Sequence, residues 1–218
     1  MELIGWILAF IIAITIHEAS HAWMANRLGD PTARLMGRLS LNPIVHYDPV
    51  GTTLLLVLVF MRAVLHIPVI PFGWAKPVII DPYNLRRPRR DSAIVSLAGP
   101  LANLLFALLA SIIIRLSFFA FGSYGALSLV LIPAIILNIV LAIFNLIPIH
   151  PLDGGKIFIG LLPEHEAREA DNFLRRYGMI ILLFLIFPTF GGSSPISALM
   201  SPIIDFVLKI LLPGSAFT

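Results

Sequence analysis

The residues His17-Glu18-Ala19-Ser20-His21 hold the most specific chemical signal in the chain. Side chains four residues apart share one helix face, so the two imidazoles can bind a single Zn²⁺ ion. Glu18 then stands beside it as the general base of a metal-assisted hydrolysis. With six His and five Glu in 218 residues, the pattern arises by chance in about 0.4% of such chains. Its setting is unusual as well, because these ionisable groups interrupt an apolar run that extends from Leu3 to Met24. That is costly unless they face a polar interior or a wet cavity. The alternative is that they serve helix association.

A catalytic zinc generally has three protein ligands and one open position, so the motif is one ligand short. The candidates are His46, His66, His150, His165 and the few acids. Asp153 is the best placed, in Leu152-Asp153-Gly154-Gly155, where the glycines let the backbone bend closely around a site. His150 is the alternative, although Pro151 argues against a shared helical face. An Asp before Gly also forms ordinary turns. The chain has no cysteine, which excludes thiolate ligands, disulfides and cysteine nucleophiles.

The elements that must position these residues belong in a bilayer. Apolar residues make up 58% of the chain and charged ones 12%, and an apolar span of about 20 residues crosses the hydrocarbon core. The expected fold is an all-α polytopic membrane protein, one domain over 1–218, with five to six membrane segments and a small membrane-associated β or re-entrant element. The first span runs from Leu3 to about Arg27 and ends at Gly29-Asp30-Pro31. Without a basic start or a small-residue cleavage site, it reads as a retained helix and not a removed signal peptide. Residues 92–116 and 125–147 form a helical hairpin around Gly122-Ser123-Tyr124, and 177–190 with 196–212 could form another. A polar helix covers Glu164 to Arg176. The β-branched alternation within Pro71 to Pro88 predicts short strands and a loop.

Basic residues orient the spans. Arg27, Arg34 and Arg38 follow the first, Arg86 to Arg90 precede the second strong one, and Lys156, Arg168, Arg175 and Arg176 follow the third. All three groups are expected on the cytoplasmic side of a multi-pass cell-membrane protein. The apolar block 51–70, broken by Arg62, His66 and Pro68, then dips into the membrane and returns as extended chain, lining a cavity beside the first span. His17 lies about 15 Å from the Arg27 end at the rise of an α-helix, which puts the active site inside the membrane towards the cytoplasm. No basic run interleaved with aromatics suggests nucleic acid.

His17-Glu18-x-x-His21, Ala98-Gly99-Pro100-Leu101-Ala102-Asn103, and Asn145-Leu146-Ile147-Pro148 running into Leu152-Asp153-Gly154-Gly155 closely resemble the site-2 protease family. Gly29 to Thr32, Gly37 to Pro43, Phe72 to Pro77 and Asn84 to Arg90 resemble its compact bacterial or archaeal branch without PDZ or CBS modules. The resemblance implies an intramembrane zinc endopeptidase in which His17, His21 and Asp153 hold the metal and Glu18 is the base. Its implied partners are membrane lipid and transmembrane helical substrates, often trimmed beforehand by another protease. Asn145 matches an asparagine thought to bind substrate or stabilise the oxyanion, a role its amide donors suit; helix capping is the alternative. Asn103 reads as a helix-packing amide, and the Phe72 to Ile80 segment resembles membrane-inserted strands that could add to an unwound substrate. His150 departs from the family, which often has proline there. A membrane metal transporter and a non-catalytic regulatory relative are the competing classes. The first does not need Glu18 between the histidines, and the second commonly loses a base or ligand that this chain keeps.

Overall fold

In the computed structural model, residues 2–63, 65, 73–122, 127–187 and 194–212 are described. Their regular structure is helical: α1 (Glu2–Leu28), α2 (Thr32–Leu35), α3 (Gly51–Ala63), α4 (Pro88–Phe121), α5 (Ser128–Asn145), α6 (Asp153–Leu161), α7 (Glu164–Ile186) and α8 (Pro195–Leu211), with 3-10 turns at Pro43–His46 and Pro82–Asn84. Three of these, α1, α4 and α5, are long and apolar enough to cross a membrane.

The three long helices pack inside out relative to a water-soluble bundle. Along α1, the positions Gly5, Ala9, Ala13, His17, His21 and Ala25 are all buried and recur every four residues. Small side chains let neighbouring backbones approach closely where lipid offers no hydrophobic drive for association. At 3.6 residues per turn the stripe drifts by about 40° per step, so successive positions meet different neighbours. Gly5 lies against the Leu129 carbonyl of α5, whereas the Ala13 carbonyl and His17 meet Asn103 of α4 and His21 meets Val95. Helix α4 is therefore antiparallel to α1 and α5 parallel to it. On α4 the buried positions include Ala98, Gly99, Ala107, Ala110 and Ser111, while Leu105, Leu108, Leu109, Ile112, Ile113 and Leu116 are 44% to 62% exposed on the outer face.

Two apolar clusters fix α7 and α8. Ala107, Ala110 and Ile114 of α4 pack with Ile135 and Ile139 of α5 and Leu208 of α8. Ile147, Ile149 and Leu152, in the turn after α5, pack with Leu182 of α7 and with Ile196 and Met200 of α8. The second cluster holds the chain just before Asp153.

Several expectations change at this level. Among the described residues, three helices meet the length and apolarity of a span, where five to six membrane segments are expected from the sequence. Helix α3 has 13 residues, or about 20 Å at 1.5 Å per residue, too short for a hydrocarbon core of about 30 Å. No strand forms among the described residues of 71–88. Residues 73–81 run without regular structure, with their backbone groups taken by α1 and the neighbouring turns rather than by a sheet. Residues 64, 66–72, with His66 and Pro68, the turn at 123–126, and 188–193 lie outside the described residues.

Candidate metal centre

The four-residue spacing on α1 sets the His17 and His21 rings edge to face with centroids 4.6 Å apart. Both residues are buried. Asp153, the first residue of α6, brings Oδ2 to 3.1 Å from Nε2 of each. These three side chains form a group able to hold a metal ion. His150, the alternative third ligand, turns away: its Nε2 stands 3.3 Å from Asp171 Oδ1 on α7. The His150–Pro151 peptide is cis. His165 is exposed beside Glu169, and His46 is buried in the 3-10 turn, with Nε2 2.9 Å from the Ser40 carbonyl.

The other ring nitrogens decide what the centre can bind. His21 Nδ1 is 2.8 Å from the Val95 carbonyl, which can only accept, so Nδ1 carries the proton. The same logic reaches His17 through Asn103. The Asn103 amide Nδ2 donates to the Ala13 carbonyl at 2.9 Å and to Asn138 Oδ1 at 2.6 Å. Its Oδ1 is thereby aimed at His17 Nδ1, 2.6 Å away, which must donate. In the neutral imidazoles both Nε2 lone pairs then face the Asp153 carboxylate. Three acceptors converge with no donor between them, an arrangement stabilised by a cation. Ligand atoms about 2.0–2.2 Å from a shared tetrahedral zinc stand roughly 3.3 Å apart, close to the 3.1 Å separations here.

Gly99 makes room for the rings. A Cβ at this position would lie 2.5 Å from His21 Nε2 and 2.7 Å from His17 Cε1. Gly154 likewise seats α6 against the Leu146 and Ile147 carbonyls at the end of α5.

Glu18, half-buried on the same helix, accepts the Val78 N–H through Oε2 at 3.0 Å. Residues 73–81 are tied along their length: the Trp74 carbonyl accepts from Thr52 Oγ1, the Lys76 N–H donates to the His46 carbonyl, and the Asp81 N–H donates to Asp30 Oδ2. Asp30 also accepts from the Thr32 N–H and hydroxyl and from Asn84 Nδ2. Burial alone would raise the Asp30 pKa, but these hydrogen bonds outweigh it and hold the carboxyl below its ordinary value.

Asn145, at the end of α5, donates from Nδ2 to its own helix at the Leu141 carbonyl, 3.0 Å away. It makes no direct hydrogen bond to the His–Asp group among the described residues. Asn138 is a participant that sequence reasoning missed, while Asn103 was read only as a helix-packing amide and Gly99 only as part of a family motif. A usable signal was present: Val95, Gly99 and Asn103 recur every four residues, placing an amide on the face of α4 that meets the histidines.

The sequence pattern of Peptidase family M50 matches residues 5–124 and 120–187. The chain is 35% identical, over 94% of its length and 89% of the relative's, to a Bacillus subtilis protein named "Putative zinc metalloprotease YwhC". Two proteins carrying the same designation with the name Rip2 are also similar. The one from Mycolicibacterium smegmatis is 29% identical over 84% of this chain and 64% of its own, and the one from Mycobacterium tuberculosis H37Rv is 28% identical over 88% and 69%. No solved structure matches the chain.

Proposed function

The chain belongs to peptidase family M50, whose metal is zinc, and from that membership we propose that it hydrolyses peptide bonds in or next to transmembrane helices of other membrane proteins. The observation that carries this reading is the convergence of His17, His21 and Asp153 beside Glu18 on a helix built to cross a bilayer.

His17 and His21 would hold the zinc through Nε2, and Asp153 through its carboxylate. When bound, the ion supplies a Lewis acid that polarises the scissile carbonyl and acidifies water to near neutrality. Glu18 accepts a proton from the attacking water as its oxygen bonds to the carbonyl carbon. It returns a proton to the amide nitrogen as the carbon–nitrogen bond breaks. Asn103 and the Val95 carbonyl hold the histidines in the ligating tautomer. The Val78 N–H steadies Glu18 through one oxygen and leaves the other for the proton. Asn145 has a second amide hydrogen available for substrate or oxyanion.

Cleavage of a helical transmembrane substrate by the purified protein in detergent tests the proposal against Glu18→Gln, with bound zinc measured in both. The unmodified protein should cleave and stop on addition of a chelator, while Glu18→Gln keeps zinc and loses at least about 100-fold in rate. Cleavage that survives in a zinc-loaded Glu18→Gln protein would remove the base assignment, and failure of either protein to hold zinc would remove the centre itself.

A further inference from the structure

A cavity of about 1110 Å³ opens between the first turn of α4, helix α6 and the polar half of α7. Its wall carries six cations, Arg87, Arg89, Arg90, Lys156, Arg168 and Arg175, against two carboxylates, Glu164 and Asp171. Both carboxylates are already engaged. Arg168 stands 2.6 Å from Glu164 and Arg175 2.8 Å from Asp171. Arg87, Arg89, Arg90 and Lys156 are exposed, and among the described residues their side chains have no ion pair or hydrogen bond.

A membrane protein gathers basic residues on one side whatever else it does. That accounts for the side these residues occupy, not for their convergence from three helices on one cavity. The cavity also adjoins the elements around the metal centre. Ile80 in its wall is two residues from Val78, whose N–H is bonded to Glu18, and His150 and Pro151 in its wall lead into Asp153. Two residues of extended chain reach at most about 7 Å. A peptide laid along residues 73–81 with its scissile bond at the centre delivers its next few residues into this cavity.

We propose that the basic cavity receives the membrane-flanking segment of the substrate and selects acidic flanks over basic ones. The proposal rests on the protease reading and names its substrate class. Transmembrane helices commonly carry Lys and Arg on their cytoplasmic flank, so an uncompensated positive wall repels the ordinary helix and admits the exceptional one. Such selection acts through long-range charge and weakens with salt.

The test uses one transmembrane helix carrying either a Glu-rich or a Lys-rich flank, in phosphatidylcholine nanodiscs at low salt. Cleavage by the full chain is measured together with binding of the labelled helices to the Glu18→Gln protein. The Glu-rich substrate should be favoured by roughly tenfold in kcat/KM and in binding. The ratio should shrink towards one at high salt and in the Arg89→Gln/Lys156→Gln protein, which keeps Arg86, Arg87 and Arg90 to hold its orientation. Equal cleavage and equal binding of the two substrates would overturn the cavity assignment and leave the protease reading intact. Charge-selective binding without cleavage of either would instead count against the protease reading while supporting acidic-segment binding. If phosphatidylglycerol binds the unmodified protein but not the double variant, and no flank preference exists, a lipid is the occupant and the proposal fails.

Discussion

His17 cannot be understood from its own position. Its tautomer is set by Asn103, whose amide orientation is set in turn by the Ala13 carbonyl one turn earlier on α1 and by Asn138 on α5. This is a wholly buried relay in which every member has a partner, the condition under which a polar network inside a membrane protein is tolerated. Removing the partner of a ligating histidine typically weakens metal binding 10–100-fold. Asn103→Ala should therefore raise the zinc dissociation constant by about that factor in chelator competition, while saturating zinc restores most of the cleavage rate. Gly99→Ala acts differently, by pushing a methyl group into both rings. Zinc content should fall well below one ion per chain with helicity by circular dichroism unchanged; full occupancy in that variant would show that the rings can move aside. The contrast explains what was legible at this scale. His17, Glu18 and His21 stand out by type and spacing, whereas Asp153 was one candidate ligand among several until the fold brought its carboxylate to both imidazoles. Asn103 looks like any packing amide until the partner helix is placed, since its role is defined by what it touches.

The same distinction appears at the scale of the element. The long spans were legible because twenty apolar residues have few alternatives in water or lipid. Residues 73–81 were not, because β-branched alternation describes an extended chain without saying what pairs with it. Here α1 and its flanking turns supply the partners: the His46 carbonyl, the Glu18 carboxylate and the Asp30 carboxylate accept the N–H groups of Lys76, Val78 and Asp81. Val78→Pro deletes the donor to Glu18 without touching a ligand, so zinc content should persist while kcat falls about tenfold; an unchanged kcat would mean that Glu18 is positioned by α1 alone. Asp30 fastens the far end of the segment and brings a pH dependence with it. Its folded pKa is lowered, so its stabilisation is complete above its unfolded value near 4 and is lost as pH falls through the lower folded value. Asp30→Asn should lower the thermal midpoint at pH 7, and the gap from the unmodified protein should narrow on titration below about pH 4. A gap that stays constant through that range would assign the loss to shape and not to charge.

For the molecule as a whole, sidedness follows from which ends meet. Arg27, Leu28 and Gly29 at the end of α1 line a cavity of about 420 Å³ together with Arg86, Arg87 and Arg90 at the start of α4. Residues 29 and 87 therefore lie at the same end of the bundle. Lys156 and Arg168 share the larger cavity with Arg87 and Arg89, which puts the end of α5 on that side too, as its parallel course with α1 requires. The basic residues that line these two cavities therefore share one side of the bundle, the arrangement from which a cytoplasmic face is expected. The absence of native cysteine makes the orientation directly measurable. A single cysteine at Arg87 should resist a membrane-impermeant maleimide in intact cells and react after permeabilisation. One at Gly122, at the opposite end of α4, should react in intact cells. The reverse pattern would turn the molecule over and place the metal centre nearer the outer face, where the peptide segments offered to it would be those on the extracytoplasmic side of the membrane.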